Sequence, residues 1–172
     1  MLSTRDGWIL TSRRLLVTSN GGGSWEDRTP PRVSSFQDQV AAGFADPRHG
    51  LIADIVPARY GRPSRVNLFR TADGGVRWQE SDFPITQTSS YESFVDPVTV
   101  GLSSPRHGWF SVGLVGYMAM DYGALLYRTG DGGATWRFVT TVPVSGGVSF
   151  SSPKTGWALY GQAPGSMTMG GA

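Results

Sequence analysis

An all-β fold built from repeated four-stranded antiparallel units is the class this sequence predicts, and three observations predict it. A turn of the form Thr-x-Asp/Asn-x-Gly with a Trp three residues on recurs three times. A second, glycine-centred turn stands before each copy and once more near the C-terminus. No stretch carries a useful 3.6-residue apolar period. Asp-Gly and Asn-Gly between β-prone runs are the strongest short-range hairpin signal.

The box turns read Thr18-Ser19-Asn20-Gly21-Gly22-Gly23-Ser24-Trp25, Thr71-Ala72-Asp73-Gly74-Gly75-Val76-Arg77-Trp78 and Thr129-Gly130-Asp131-Gly132-Gly133-Ala134-Thr135-Trp136. The glycine-centred turns are Thr4-Arg5-Asp6-Gly7-Trp8, Asp46-Pro47-Arg48-His49-Gly50-Leu51, Ser104-Pro105-Arg106-His107-Gly108-Trp109 and Ser152-Pro153-Lys154-Thr155-Gly156-Trp157. From Gly50 to Thr71 is 21 residues, as from Gly108 to Thr129, whereas Gly7 to Thr18 is only 11.

The first strand of each unit is marked by an apolar residue six positions before the turn glycine: Met1, Phe44, Leu102 and Phe150. It is expected over Val40–Phe44, Val98–Leu102 and Val148–Phe150. The second strand follows the turn, over Trp8–Leu10, Leu51–Val56, Trp109–Val115 and Trp157–Tyr160. The third leads into the box, over Leu15–Val17, Asn67–Arg70 and Leu125–Arg128. The fourth leaves from the box Trp, over Trp25–Asp27, Trp78–Glu80 and Trp136–Thr141. In the box, an Asp or Asn side chain can accept amides two residues on and lock the turn, and glycine supplies positive φ. The Trp ring is expected to bury against neighbouring strands, with its N–H bonded at the turn.

These residues resemble the bacterial neuraminidase repeat, or Asp-box, of pattern Ser/Thr-x-Asp-x-Gly-x-x-Trp. Thr71, Asp73, Gly75 and Trp78 match it, as do Thr129, Asp131, Gly133 and Trp136; in Thr18, Asn20, Gly22 and Trp25 the acid is replaced by Asn20. With the Gly-Trp turns, the chain is similar to β-propellers related to photosystem II assembly factors. Sialidases, sortilin-type receptors and some xyloglucan-degrading enzymes share the box. The resemblance implies an incomplete β-propeller over 1–172, with blades at 36–84 and 94–142 and partial blades at 1–32 and 147–172. Met1 falls inside a first strand, and Gly171-Ala172 parallels Gly123-Ala124 just before a third strand. The expectation is a segment of a six- or seven-bladed protein, or a short chain whose copies associate into a ring.

Composition narrows the function. The 172 residues include 24 Gly, 11 Pro, six Trp and no Cys, so a disulfide scaffold, a thiolate metal site and a cysteine nucleophile are all excluded. Net charge is only +2, which is no nucleic-acid footprint. No apolar run approaches the roughly 18 residues of a membrane-spanning helix, so no membrane insertion is expected. Residues 1–8 show no basic segment leading into an apolar one, so no secretion signal is visible. Export is implied by the resemblance alone.

His49 and His107 share a repeat position with Asp6 and Thr155, which reads as a polar turn position rather than a proton-transfer site. Two isolated His residues give no zinc spacing, so no metal and no cofactor is expected. All six Trp lie in the motifs and read as packing residues rather than sugar platforms. No catalytic residue is assigned. Sialidases gather their arginines from several blades and carry an Arg-Ile-Pro element; here Arg59, Arg62 and Arg65 sit in one loop and Arg-Ile-Pro is missing.

In an up-and-down blade the two motif turns share one end. Connecting segments at the other end are then the candidate binding loops. They carry Arg59, Tyr60, Arg62 and Arg65; Tyr117, Met118, Met120, Asp121 and Tyr122; and, between blades, Asp82, Tyr91 and Glu92. Arg, Tyr and Met are enriched at protein interfaces. The expected function is a non-catalytic scaffold holding a protein or glycan partner, the alternative being a glycoside hydrolase fragment whose catalytic residues lie elsewhere.

Overall fold

The computed structural model describes residues 2–11, 14–33, 40–56, 65–86, 94–115, 121–143 and 147–158. Every regular element among them is a strand. The first sheet holds β1 (Gly7–Leu10), β2 (Leu15–Thr18) and β3 (Glu26–Asp27) in that order. The second holds β4 (Val40–Phe44), β5 (Gly50–Val56), β6 (Arg65–Thr71) and β7 (Gln79–Pro84). The third holds β8 (Phe94–Leu102), β9 (Gly108–Val115), β10 (Asp121–Thr129) and β11 (Arg137–Val142), and β12 (Val148–Phe150) pairs with β13 (Gly156–Ala158) in a fourth. All pairings are antiparallel between chain neighbours, the up-and-down order of a propeller blade.

Period-two alternation places both faces of the two middle sheets. Ala53 pairs with Leu68 and Ile55 with Val66, so these four share one face. They meet Phe110, Val112, Leu125 and Tyr127 of the third sheet in one apolar cluster. The opposite face of the second sheet carries Ile52 and Phe69, which join Leu15, Trp8 and Leu10 of the first. Trp109 and Leu126 on the far face of the third sheet meet Val148 and Phe150 of the fourth. Each fully buried side chain of this kind contributes roughly 1.5–3 kcal/mol. The sheets thus stack face to face as blades of an incomplete β-propeller, with no ring closed among the described residues.

The strands run longer than the sequence suggested at the end away from the boxes. β6 begins at Arg65, β7 continues to Pro84 and β8 begins at Phe94, so Arg65 and Asp82, expected in connecting loops, stand in the ladder. The extra length of β8 is reached through a register shift between Val95 and Val98, where Pro97 has no amide to give the ladder. β11 carries a bulge too, since Leu126 pairs with Thr140 but Tyr127 with Phe138. Strands β4 and β8 come into backbone contact at Gly43, where a Cβ would lie 2.8 Å from the Val100 carbonyl oxygen.

Candidate functional site

The chain presents two ends to solvent, and its motifs are gathered at one. Gly7 pairs with Thr18, Gly50 with Thr71 and Gly108 with Thr129, so both turns of each unit leave the sheet together. A backbone bond ties them: Gly21 N–H donates to Arg5 O at 2.7 Å, Gly74 to Arg48 O at 2.9 Å, and Gly132 to Arg106 O at 2.8 Å.

Within each box the threonine hydroxyl does two jobs. It accepts the amide four residues on, from Gly22, Gly75 and Gly133 at 3.0, 2.8 and 2.9 Å. It donates to the Asn20, Asp73 or Asp131 side chain at 3.0, 2.9 and 2.8 Å. That side chain in turn accepts the amide of Ser24, Arg77 or Thr135, each at 2.9 Å. The sequence reading had the Asp or Asn reaching amides two residues on. The arc of the turn puts the amide four residues on in range instead, and the glycine amide goes to threonine. The Trp N–H groups that bond do so across the seams, not at the turn: Trp78 Nε1 donates to Arg28 O at 2.8 Å, and Trp109 Nε1 to Val148 O at 3.0 Å. Trp136 Nε1 is buried with no partner.

The electrostatics follow from these bonds. The Thr135 hydroxyl and amide hold Asp131 down at about 2. The Arg77 amide and the Thr71 hydroxyl lower Asp73 against partial desolvation. Burial alone would raise Asp46, but the amides of Arg48 and His49 outweigh it and the group is lowered.

His49 and His107 lie in glycine-centred turns whose acceptor stands three residues earlier. The His49 amide and Nδ1 meet Asp46, the ring nitrogen at 2.9 Å. His107 Nδ1 lies 3.0 Å from Ser104 Oγ. Thr155 and Asp6 use Ser152 and Ser3 in the same way, through amides at 3.0 and 2.8 Å. Sequence reasoning placed the His residues but missed these acceptors; a Ser or Asp three residues before each was the available signal. It also missed Arg128, which lies 4.4 Å over the Phe150 ring and donates to the Pro153 carbonyl, clamping the third sheet to the fourth.

A cleft opens at the box end of each seam. That between the first and second sheets is about 170 Å³, with Trp8, Phe44 and Asp73 in its walls. The next is about 460 Å³, lined by His49, Arg70, Asp73, Leu102 and Asp131. The third is about 450 Å³, lined by His107, Arg128, Arg137 and Lys154. Arg128 and Arg70 are equivalent in the repeat, but Leu102 stands where Phe150 offers its ring, so the guanidinium–ring contact belongs to the third cleft.

At the opposite end, Val56 and Arg65, and Val115 and Asp121, are the strand termini from which the expected binding loops depart. Arg65 and Asp82, expected in two loops, instead lie on neighbouring strands and pair with each other, Nε to Oδ1 at 2.9 Å. Asp121 and Tyr122 begin β10. Arg59, Tyr60, Arg62, Tyr91, Glu92, Tyr117, Met118 and Met120 lie outside the described residues. Among the described residues no cluster of three or more His, Asp or Glu is placed to hold a metal ion, and no helix is long and apolar enough to cross a membrane.

No family model matches the chain, and no curated protein sequence matches it. Among solved structures it is similar to that of YCF48 bound to D1 peptide, with a TM-score of 0.48 and 18% identity over 80% of this chain. The match spans 37% of the YCF48 chain.

Proposed function

We propose that this chain is a non-catalytic propeller scaffold that holds a protein partner through the connections at the end opposite the box turns. One observation supports the reading above the rest. At the box end the box Thr, Asp and Asn side chains and the acceptors Ser3, Asp46, Ser104 and Ser152 are already committed to turn hydrogen bonds, whereas the connections rich in Arg, Tyr and Met leave from the other end. Those residue types give large contact area and bidentate hydrogen bonding to a protein surface. The Arg65–Asp82 pair stiffens the strand ends beneath them. On this reading the blades divide at 36–84 and 94–142, flanked by partial blades over 1–32 and 147–172.

In-cell cross-linking of the full chain, followed by mass spectrometry, tests the proposal. Two variants are compared with the parent: Arg59, Tyr60 and Arg62 changed to Ala, and Tyr117, Met118 and Met120 changed to Ala. The expected result is loss of the same cross-linked protein from both variants, with unchanged thermal unfolding. Hydrolysis of a fluorogenic sialoside by the parent, or a glycan array bound equally by parent and variants, would overturn it.

A further inference from the structure

We infer that Asn20–Gly21 is a self-modification site: a spontaneous deamidation that the box turn itself holds back. The chemistry belongs to the Asn-Gly pair. The Gly21 amide nitrogen, once it loses its proton, attacks Cγ of Asn20; a C–N bond forms, the Cγ–Nδ2 bond breaks, and ammonia leaves. Water then opens the five-membered imide to an aspartyl or an isoaspartyl residue. Water enters and ammonia departs, and nothing is oxidised or reduced. Gly21 has no side chain to hinder the attack, and both residues are exposed to the water the reaction needs.

Three features of the turn oppose that attack. Gly21 N–H is occupied by the Arg5 carbonyl at 2.7 Å, which disfavours loss of its proton. Asn20 Oδ1 is held by Thr18 Oγ1 at 3.0 Å and by the Ser24 amide at 2.9 Å, and Nδ2 donates to Ser24 Oγ at 2.9 Å. The side chain is therefore pinned toward Ser24, and the ring-closing geometry forms only when the turn opens. Deamidation at this position then reports fraying of the first sheet, whose β3 is only two residues long.

The two products part ways. An aspartyl product restores the acid found at Asp73 and Asp131. It needs no rearrangement beyond rotation of the Ser24 hydroxyl, which would then donate to the carboxylate as Thr135 Oγ1 donates to Asp131 Oδ2 at 2.6 Å. An isoaspartyl product lengthens the backbone by one carbon and moves the carboxylate off the Thr18–Ser24 axis. One box is thus encoded as Asn and has a route to Asp.

The full chain is aged at mildly alkaline pH, folded and in guanidinium chloride, and the tryptic peptide Leu15–Arg28 is followed by mass spectrometry with isoaspartate detection. The folded chain is expected to react at least roughly tenfold more slowly than the unfolded one, since only opened turns react. Ser24→Ala, which removes one pin, is expected to raise the folded rate and leave the unfolded rate unchanged. Equal folded and unfolded rates in the parent would overturn the inference, and that comparison stands whether or not the variant folds. The Asn20→Asp chain should melt no lower than the parent; a clear drop would overturn the claim that the turn accepts the aspartyl product.

Discussion

At the scale of single residues, the box is a relay in which one hydroxyl and one carboxylate or carboxamide serve backbone amides that the turn leaves outside the ladder. Asp131 accepts from Thr129, from the Thr135 amide and from the Thr135 hydroxyl. Asp131→Ala should therefore destabilise the chain by about 1 kcal/mol, near the lower end for lost bonds because the turn is exposed. Thermal unfolding would read it, and an unchanged midpoint would contradict the role. The same carboxylate sets a pH dependence. Its pKa falls from 3.8 to about 2 on folding, chiefly through the Thr135 hydroxyl, so its stabilisation is present above pH 3.8 and fades as pH drops toward 2. Asp131→Asn should flatten the fall in melting temperature across that window. A sequence shows which residues a turn contains but not the arc they follow. That is why Asp131 could be read as a turn lock while its true amide, that of Thr135, could not.

At the scale of strands and turns, glycine placement decides how closely elements approach. Gly133 has φ +89°, and a Cβ there would come within 2.7 Å of Leu51 Cδ2 in the preceding blade. Gly133→Ala should cost more than about 1 kcal/mol, combining left-handed strain with a seam clash. Hydrogen exchange should show faster opening of β10 and β11; protection equal to the parent would count against the seam. The start of every second strand and the end of every third was legible from the turn motifs, because glycine and the box residues fix where a hairpin must reverse. The far ends were not, since β6, β7 and β8 outrun their apolar patterns through cross-strand pairing and bulges that a one-dimensional pattern does not carry. The Trp residues divide by direction. Those after the glycine turns point to the following sheet and those in the boxes to the preceding one, as the Trp109–Val148 and Trp78–Arg28 bonds show. Trp25 and Trp157, which by that rule face away from every described sheet, are 38% and 55% exposed. Packing was the expectation for all six; Trp109 is buried in a seam and Trp8, Trp78 and Trp136 are half-buried against a described neighbour.

For the molecule as a whole, stability resides in seams rather than in a central core. Phe110 stacks on Tyr127 with ring centres 4.6 Å apart and touches Phe83 and Trp136 edge-on, so it belongs to both middle sheets at once. Burial pushes the Tyr127 phenol up to about 12, keeping it neutral in that cluster. Phe110→Ala should cost about 3–5 kcal/mol. It should lower a transition seen at one midpoint by circular dichroism and by Trp fluorescence, whereas two separated midpoints would show that the sheets unfold independently. The candidate binding end was legible only as a list of residue types, because the connections that carry it have no repeat to constrain them. The box end is bolted by the same backbone bond in the three units that carry a box, yet the hairpins above it differ by ten residues: Gly7 to Thr18 spans 11 and its two counterparts span 21. The shortest closes through Thr11 N–H to Arg14 O at 2.8 Å. The fold therefore separates its fastening from its variable connections. A foreign peptide of about ten residues grafted between Thr11 and Arg14 would only bring the first unit to the length its siblings carry, making that hairpin the natural port for displaying an epitope.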